Sequence, residues 1–335
     1  MKAFGRLPGW WLVIVLILLF PVSAVGQDAD KKTPPAAAPS EDDATQALQK
    51  ATQNPVANLI SVPLQNNTNF DIGPFARTQN ILNIQPVIPI KLSEKWNLII
   101  RWITPAIGQP APGTANLEVF GIELDTPAYL AGQAAQKNVG VFGFGDMYPS
   151  FFLSPAKPHK VIWGIGPYFI APTATSKVLG QGKFCIGPTL VALVQPPHWT
   201  VGALINNAWS VAGSGRRRSV NQMLIQYFIN YNLKKGWYIT SQPIVTANWK
   251  ASSGNAWVVP VGGGVGRIMK WGTEPVNITA QFYGNAAYPT NGSPWGMRLQ
   301  LAFLFPKLSK AEQKMMLEQK LKQLDVEPAK PQAPK

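Results

Sequence analysis

Seven charged side chains fall on one parity of an alternating apolar and polar pattern: Arg77, Arg101, Lys183, Lys250 and Arg298, against Asp71 and Asp146. Guanidinium and ammonium groups gathered around a narrow aqueous path favour anions. Arg in addition forks onto carboxylate or phosphate with two parallel hydrogen bonds. Arg101 and Asp146 are expected near the outer mouth, at equal height on consecutive segments, where they can pair. The same parity carries the aromatics Tyr148, Phe152, Tyr168, Phe228, Tyr238 and Tyr283, with aliphatics such as Ile99, Val191, Leu193 and Leu204. A lining of this kind suits an aromatic or apolar solute better than bulk water. Two plainer alternatives stay open: the charges are solvated or brace a wall, and the apolar side chains fill a narrow interior.

Hydrolytic chemistry has little to work with. The chain holds two histidines, His159 and His198, and one cysteine, Cys185. Both histidines fall in predicted tight turns without a neighbouring carboxylate, whereas a general base needs reach of its nucleophile and a group to orient it. No enzymatic activity is expected, an outer-membrane hydrolase being the remote alternative. Ligand sets with metal-binding spacing are absent from the sequence, so neither metal nor cofactor is expected. Gly262-Gly263-Gly264-Val265-Gly266 lacks the Lys-Ser/Thr and helix of a phosphate loop. It is read as a close-packed or bent strand segment.

The elements that position these residues follow from the period. From residue 58 to 305 apolar side chains recur at every second position, as when alternate side chains of a strand meet different solvents. Met297, Leu299, Leu301, Phe303 and Phe305 share one face, against Arg298, Gln300, Ala302 and Leu304. The template predicts strands over 58–71, 77–90, 95–105, 141–154, 160–171, 182–195, 198–211, 220–232, 236–250, 256–270, 275–287 and 295–305. Their number is even, and tight connections alternate with longer ones, as in outer-membrane barrels with short periplasmic turns and longer outer loops. Trp96, Trp163, Trp199, Trp237 and Trp271 fall beside the tight turns. Trp102, Trp209, Trp249, Trp257 and Trp295 fall beside the others, giving two belts at the headgroup levels where indole is most at home. The expected fold is all-β, a closed antiparallel transmembrane β-barrel of about 12 strands with short N-terminal and C-terminal periplasmic helices.

Composition agrees. With 46% hydrophobic residues and 12 Trp among 335, the chain cannot be disordered throughout. Its one long apolar run, 10–20, is too short for a membrane-spanning helix, and 29 Gly with 31 Pro favour strands and turns. Residues 1–26 read as a signal peptide, with Lys2 and Arg6 before the run and Ala24-Val25-Gly26 after it. A periplasmic leader follows over 27–57, with a helix over 41–53. The barrel occupies 58–306, and 307–335 form a Lys-rich periplasmic tail helix. Lys and Arg outnumber Asp and Glu by 30 to 16. For an exported chain the partners implied are the lipid bilayer, lipopolysaccharide and a small-molecule solute, not nucleic acid. Arg216-Arg217-Arg218, in an outer loop, is placed to meet lipopolysaccharide phosphates.

Asn54-Pro55-Val56-Ala57-Asn58-Leu59-Ile60-Ser61-Val62-Pro63-Leu64-Gln65-Asn66-Asn67 resembles the opening motif of a family of outer-membrane transporters. These are grouped with the meta-pathway of phenol degradation proteins, and some carry the label neuromedin U. Phe151-Phe152-Leu153-Ser154-Pro155, Trp163-Gly164-Ile165-Gly166-Pro167 and Pro172-Thr173-Ala174-Thr175 resemble its later blocks, as does the glycine run from Gly262 to Gly266. The resemblance covers residues 54–306. It implies an outer-membrane location and passage of a small aromatic solute, while the cationic inward residues point to an anionic one. The expected function is passive passage of such a solute, by a barrel placed in the membrane by the barrel-insertion machinery. A structural or surface-binding barrel with a plugged lumen is the alternative function. Here the last predicted strand is followed by the tail, a departure from the family's usual form.

Overall fold

The computed structural model describes residues 41–73, 75–110, 140–157, 159–272 and 274–306. The predicted signal peptide, residues 27–40 of the leader and the predicted tail helix lie outside the described residues. Twelve strands form one antiparallel barrel. They are β1 (Ile60–Ile72), β2 (Arg77–Ile84 with Val87–Lys91), β3 (Trp96–Arg101 with Thr104–Pro110), β4 (Gly140–Phe144 with Ser150–Pro155), β5 (Val161–Ile170) and β6 (Lys183–Val194), followed by β7 (Trp199–Gly213), β8 (Asn221–Asn232), β9 (Trp237–Ser241 with Ile244–Asn248), β10 (Trp257–Trp271), β11 (Glu274–Ala287) and β12 (Trp295–Phe305). β12 returns to β1 in unbroken register from Ile60 opposite Phe305 to Phe70 opposite Trp295. Closure leaves the barrel wall without an edge, apart from Gly140–Phe144 near the rim, which pairs on one side with Thr104–Pro110. An open edge in lipid would strand N–H and C=O groups at a cost of several kcal/mol each.

Four strands are interrupted, and two interruptions have a covalent cause. β2 breaks at Gln85-Pro86 and β9 at Gln242-Pro243, where proline offers no N–H to the ladder. β3 and β4 break beside each other. Pairing resumes between them because Ile103 and Tyr148 exchange backbone hydrogen bonds of 3.2 and 3.0 Å.

Alternation decides what each face meets. In β6, Ile186, Leu190 and Val194 are exposed while Cys185, Thr189, Val191 and Leu193 are buried. In β12, Leu299 and Phe305 are exposed while Arg298, Ala302 and Leu304 are buried. Apolar side chains exposed around the outside of a closed sheet are the exterior of a transmembrane barrel, and the protein is located in the outer membrane. Among the described residues no helix is long and apolar enough to cross a membrane. At one end the connections 92–95, 156–160, 195–198, 233–236 and 272–273 are all short, which marks the periplasmic side. Among the described residues the other end carries the connections 171–182, 214–220, 249–256 and 288–294, and there β1 also turns directly into β2.

Glycine matters at two inward positions. A Cβ on Gly266 of β10 would lie 2.2 Å from the ring of Tyr238, and one on Gly202 of β7 would lie 2.8 Å from Phe228. Each aromatic ring thus lies over a neighbouring strand's bare backbone, as the close-packed reading of the Gly262 to Gly266 run anticipates.

Candidate functional site

The lumen is occupied from its periplasmic end. Helix α1 (Glu41–Thr52) has Gln49, buried, donating from Nε2 to the Trp237 carbonyl at 3.0 Å. Gln53 Nε2 donates to Asn232 Oδ1 at 2.7 Å, and Gln195 Nε2 donates to the Lys50 carbonyl at 2.7 Å. All three partners lie at periplasmic strand ends. Apolar contacts complete the seat: Leu48, Ala51 and Ala57 pack with Tyr238, Ile268 and Leu304, and Val56 joins Ile99, Phe152, Val191 and Phe228. Residues 48–59 therefore touch inward side chains on both sides of the barrel. Sequence periodicity predicts the helix but not its position inside, because every contact that seats it comes from distant strands.

The positive charges divide into two groups. Arg298 is buried mid-wall, donating from Nε to Asn67 Oδ1 at 2.9 Å and from Nη1 to the Gln242 carbonyl at 2.7 Å, with its guanidinium 5.2 Å from the centre of the Tyr283 ring. Arg101 donates from Nη2 to Gln85 Oε1 at 2.8 Å and lines a cavity with Gln226, Phe228 and Gln300. Arg77, Lys183 and Lys250 stand instead at the outer ends of their strands. Lys183 Nζ donates to the Ser214 carbonyl at 2.5 Å, and Lys250 is exposed on the turn after β9. Five cations at the outer mouth were expected. Arg101 lies deeper, because β3 continues past it through Thr104–Pro110, and Arg298 is drawn into the wall by its hydrogen bond to the Gln242 carbonyl at the break of β9.

Both acidic expectations need correction. Asp146 does not pair with Arg101. Its buried carboxylate accepts the Ala174 N–H at 3.2 Å and the Gln181 N–H at 2.6 Å, tying down the 171–182 loop. Leu179 of that loop packs over Gly143 and Gly145 on the inner wall, and Gln181 Nε2 reaches Gln222 Oε1 at 2.7 Å. Arg217 Nη2, from the next outer loop, donates to the Lys177 carbonyl at 2.6 Å. Burial pushes the Arg217 guanidinium down from its ordinary value, and the nearby Asp146 carboxylate counters part of that. Asp71 is exposed and accepts the Trp295 Nε1–H at 2.9 Å, so it serves the exterior. The register shifts between Asn69 and Ile72, and Asp71 has φ 58°, which breaks the parity that predicted it inward.

The aromatics expected on the inward parity are mostly buried. Phe152, Tyr168, Phe228, Tyr238 and Tyr283 are buried, and Tyr148 stacks on Tyr168 at 6.5 Å. Tyr238 donates its hydroxyl to Asn277 Oδ1 at 2.8 Å, with Thr279 Oγ1 at 2.9 Å. Of the tryptophans, Trp96 and Trp163 meet edge to face at 6.0 Å, and Trp199, Trp237 and Trp271 are exposed, all near periplasmic turns. Trp209, Trp249 and Trp295 are exposed towards the outer end, where Trp249 meets Trp257 at 5.4 Å. Trp102 departs from the pattern, sitting at the mid-strand break of β3. Arg267 was missed: its guanidinium lies 5.1 Å from the centre of the Trp237 ring on the exterior, a cationic head held at the interface by an indole.

No protein-family model and no curated protein sequence matches the chain. Among solved structures it is similar to an outer membrane channel from Pseudomonas putida F1, at 15% identity and a TM-score of 0.51, over 74% of this chain and 94% of that one. It is also similar to outer membrane phospholipase A from Escherichia coli, at 10% identity and a TM-score of 0.38, covering 74% and 93%. A FadL homologue from Pseudomonas aeruginosa aligns at 8% identity and a TM-score of 0.33, covering 79% and 94%. The first likeness supports the barrel fold. The other two carry no argument, and at these identities none of the three transfers a substrate.

Proposed function

We propose that the protein is an outer-membrane barrel for passive passage of a small solute, anionic or aromatic in character, with residues 41–59 seated as a plug at the periplasmic end. The observation that carries this reading is the content of the lumen. A segment tied to the wall by a few side-chain hydrogen bonds lies beside a cavity lined by Arg101 and glutamines. A lumen filled only for support has no use for an Arg there, since burying a charge is costly unless something pairs with it. The resemblance of residues 54–306 to the phenol meta-pathway family favours an aromatic solute. In the same reading residues 1–26 direct export, the insertion machinery builds the barrel, and Arg216-Arg217-Arg218 meets lipopolysaccharide.

Planar-bilayer recording of the full-length chain tests the proposal. Discrete conductance steps are expected, and Gln49→Ala combined with Gln53→Ala, which removes two hydrogen bonds of the plug, should raise the mean current severalfold. Silence of both proteins after verified insertion assigns the barrel the other role, a surface-binding structure with a filled interior. Reversal potentials in a salt gradient should show mild anion preference, because Arg101 and Arg298 are the charges deepest in the wall. Cation selectivity refutes that part. A hydrolase is disfavoured by position: His159 and His198 lie in periplasmic connections, and His198 faces Tyr231 at 6.1 Å.

A further inference from the structure

We propose that the cavity beside the plug is a binding site for a small hydroxylated carboxylate. This deepens the conduit reading, on which it rests, by naming what the conduit holds. The cavity between residues 51–59 and the strand walls has a volume of about 120 Å³ and opens to solvent on one side, close to the roughly 150 Å³ of cavities that accept a ligand of benzene's size.

Three properties of its wall define the ligand. The first is charge. Arg101 gives one hydrogen bond, to Gln85, and among the described residues no carboxylate pairs with it. A guanidinium has five N–H donors in a planar fork, so donors remain for a carboxylate entering the cavity. The second is hydrogen bonding. Gln65 and Gln242 are committed to the wall, donating to Asn67 Oδ1 at 3.3 Å and to Asn230 Oδ1 at 2.9 Å. Gln226 and Gln300 also line the cavity, and among the described residues their side-chain amides have no hydrogen-bond partner. An amide both donates and accepts, which matches a hydroxyl. The third is the apolar flank of Phe228 and Val87, suited to the C–H face of a short carbon skeleton. An inorganic anion has nothing for the third property, an uncharged sugar nothing for the first, and a plain hydrocarbon nothing for the first two.

Equilibrium dialysis of the purified full-length protein in detergent against labelled gluconate tests the site, with glucose and acetate as competitors. Saturable 1:1 binding is expected, with glucose and acetate each displacing gluconate at least tenfold less effectively than unlabelled gluconate. Arg101→Gln should weaken gluconate binding at least tenfold, the loss of one charge-assisted contact. Gln300→Leu is a second variant that keeps the charge, and it should weaken gluconate severalfold while leaving acetate competition unchanged. Absence of saturable binding overturns the proposal, as does equal binding by Arg101→Gln or equal competition by glucose. Bilayer conductance without gluconate binding removes this site and leaves the conduit standing. Saturable binding to a barrel that never conducts removes the conduit and keeps the site.

Discussion

Tyr238 shows how much a single inward residue can hold. Its ring covers Gly266 and its hydroxyl serves Asn277 within a buried polar set. Tyr238→Phe leaves the Asn277 acceptor buried and unpaired, and should lower unfolding stability in lipid vesicles by about 1–3 kcal/mol, read from urea titration. Gly266→Ala sets a methyl against the ring and should cost about 1–3 kcal/mol by overpacking. Combined with Tyr238→Ala, the glycine substitution should cost much less, because the two residues share one space and their effects cannot add. The inward parity of Tyr238 and the tight packing of the glycine run are legible in the sequence. The height of Arg101 is not, since Thr104-Pro105-Ala106-Ile107-Gly108 has the composition of a loop and yet continues the strand against β2. Asp71 misleads for another reason: a bulge shifts parity by one, and residue types alone do not mark it.

Strands and loops differ in how far their own residues determine them. A strand carries its evidence in its period, and all twelve lie close to the predicted ranges. The 171–182 loop carries no period. It is held against the wall by Asp146, a carboxylate far away in sequence that accepts two of its backbone N–H groups. Hydrogen bonds to a charged acceptor are worth about 1.5–3 kcal/mol each. Asp146→Ala should therefore free the loop, and amide hydrogen exchange at Ala174 and Gln181 should accelerate at least tenfold while the β6 and β7 amides stay protected. The plug was unreadable for the same cause. Gln49 finds its acceptor 188 residues away, a distance over which no local pattern speaks.

For the molecule as a whole, the medium around it decides what a surface substitution does. Leu299 is 45% exposed at the middle of β12, and Val211 is 61% exposed near the outer end of β7. In water both would count as surface positions, and Arg at either would change stability by no more than about 0.5 kcal/mol. In a bilayer the two sites differ, because the charge of an Arg at mid-height must leave the hydrocarbon or draw water into it. Leu299→Arg should then destabilise the folded barrel by about 2–4 kcal/mol, and Val211→Arg, whose guanidinium reaches the headgroups, by about 0–1 kcal/mol. Reversible unfolding in phosphatidylcholine vesicles reads both values, and Gln300→Arg makes an inward-facing comparison. That third substitution meets the cavity and the polar wall instead of lipid, so it should cost less than Leu299→Arg although the two residues are neighbours. Equal costs at 299 and 300 would mean that the two faces do not see different solvents, and the apolar exterior would lose its meaning.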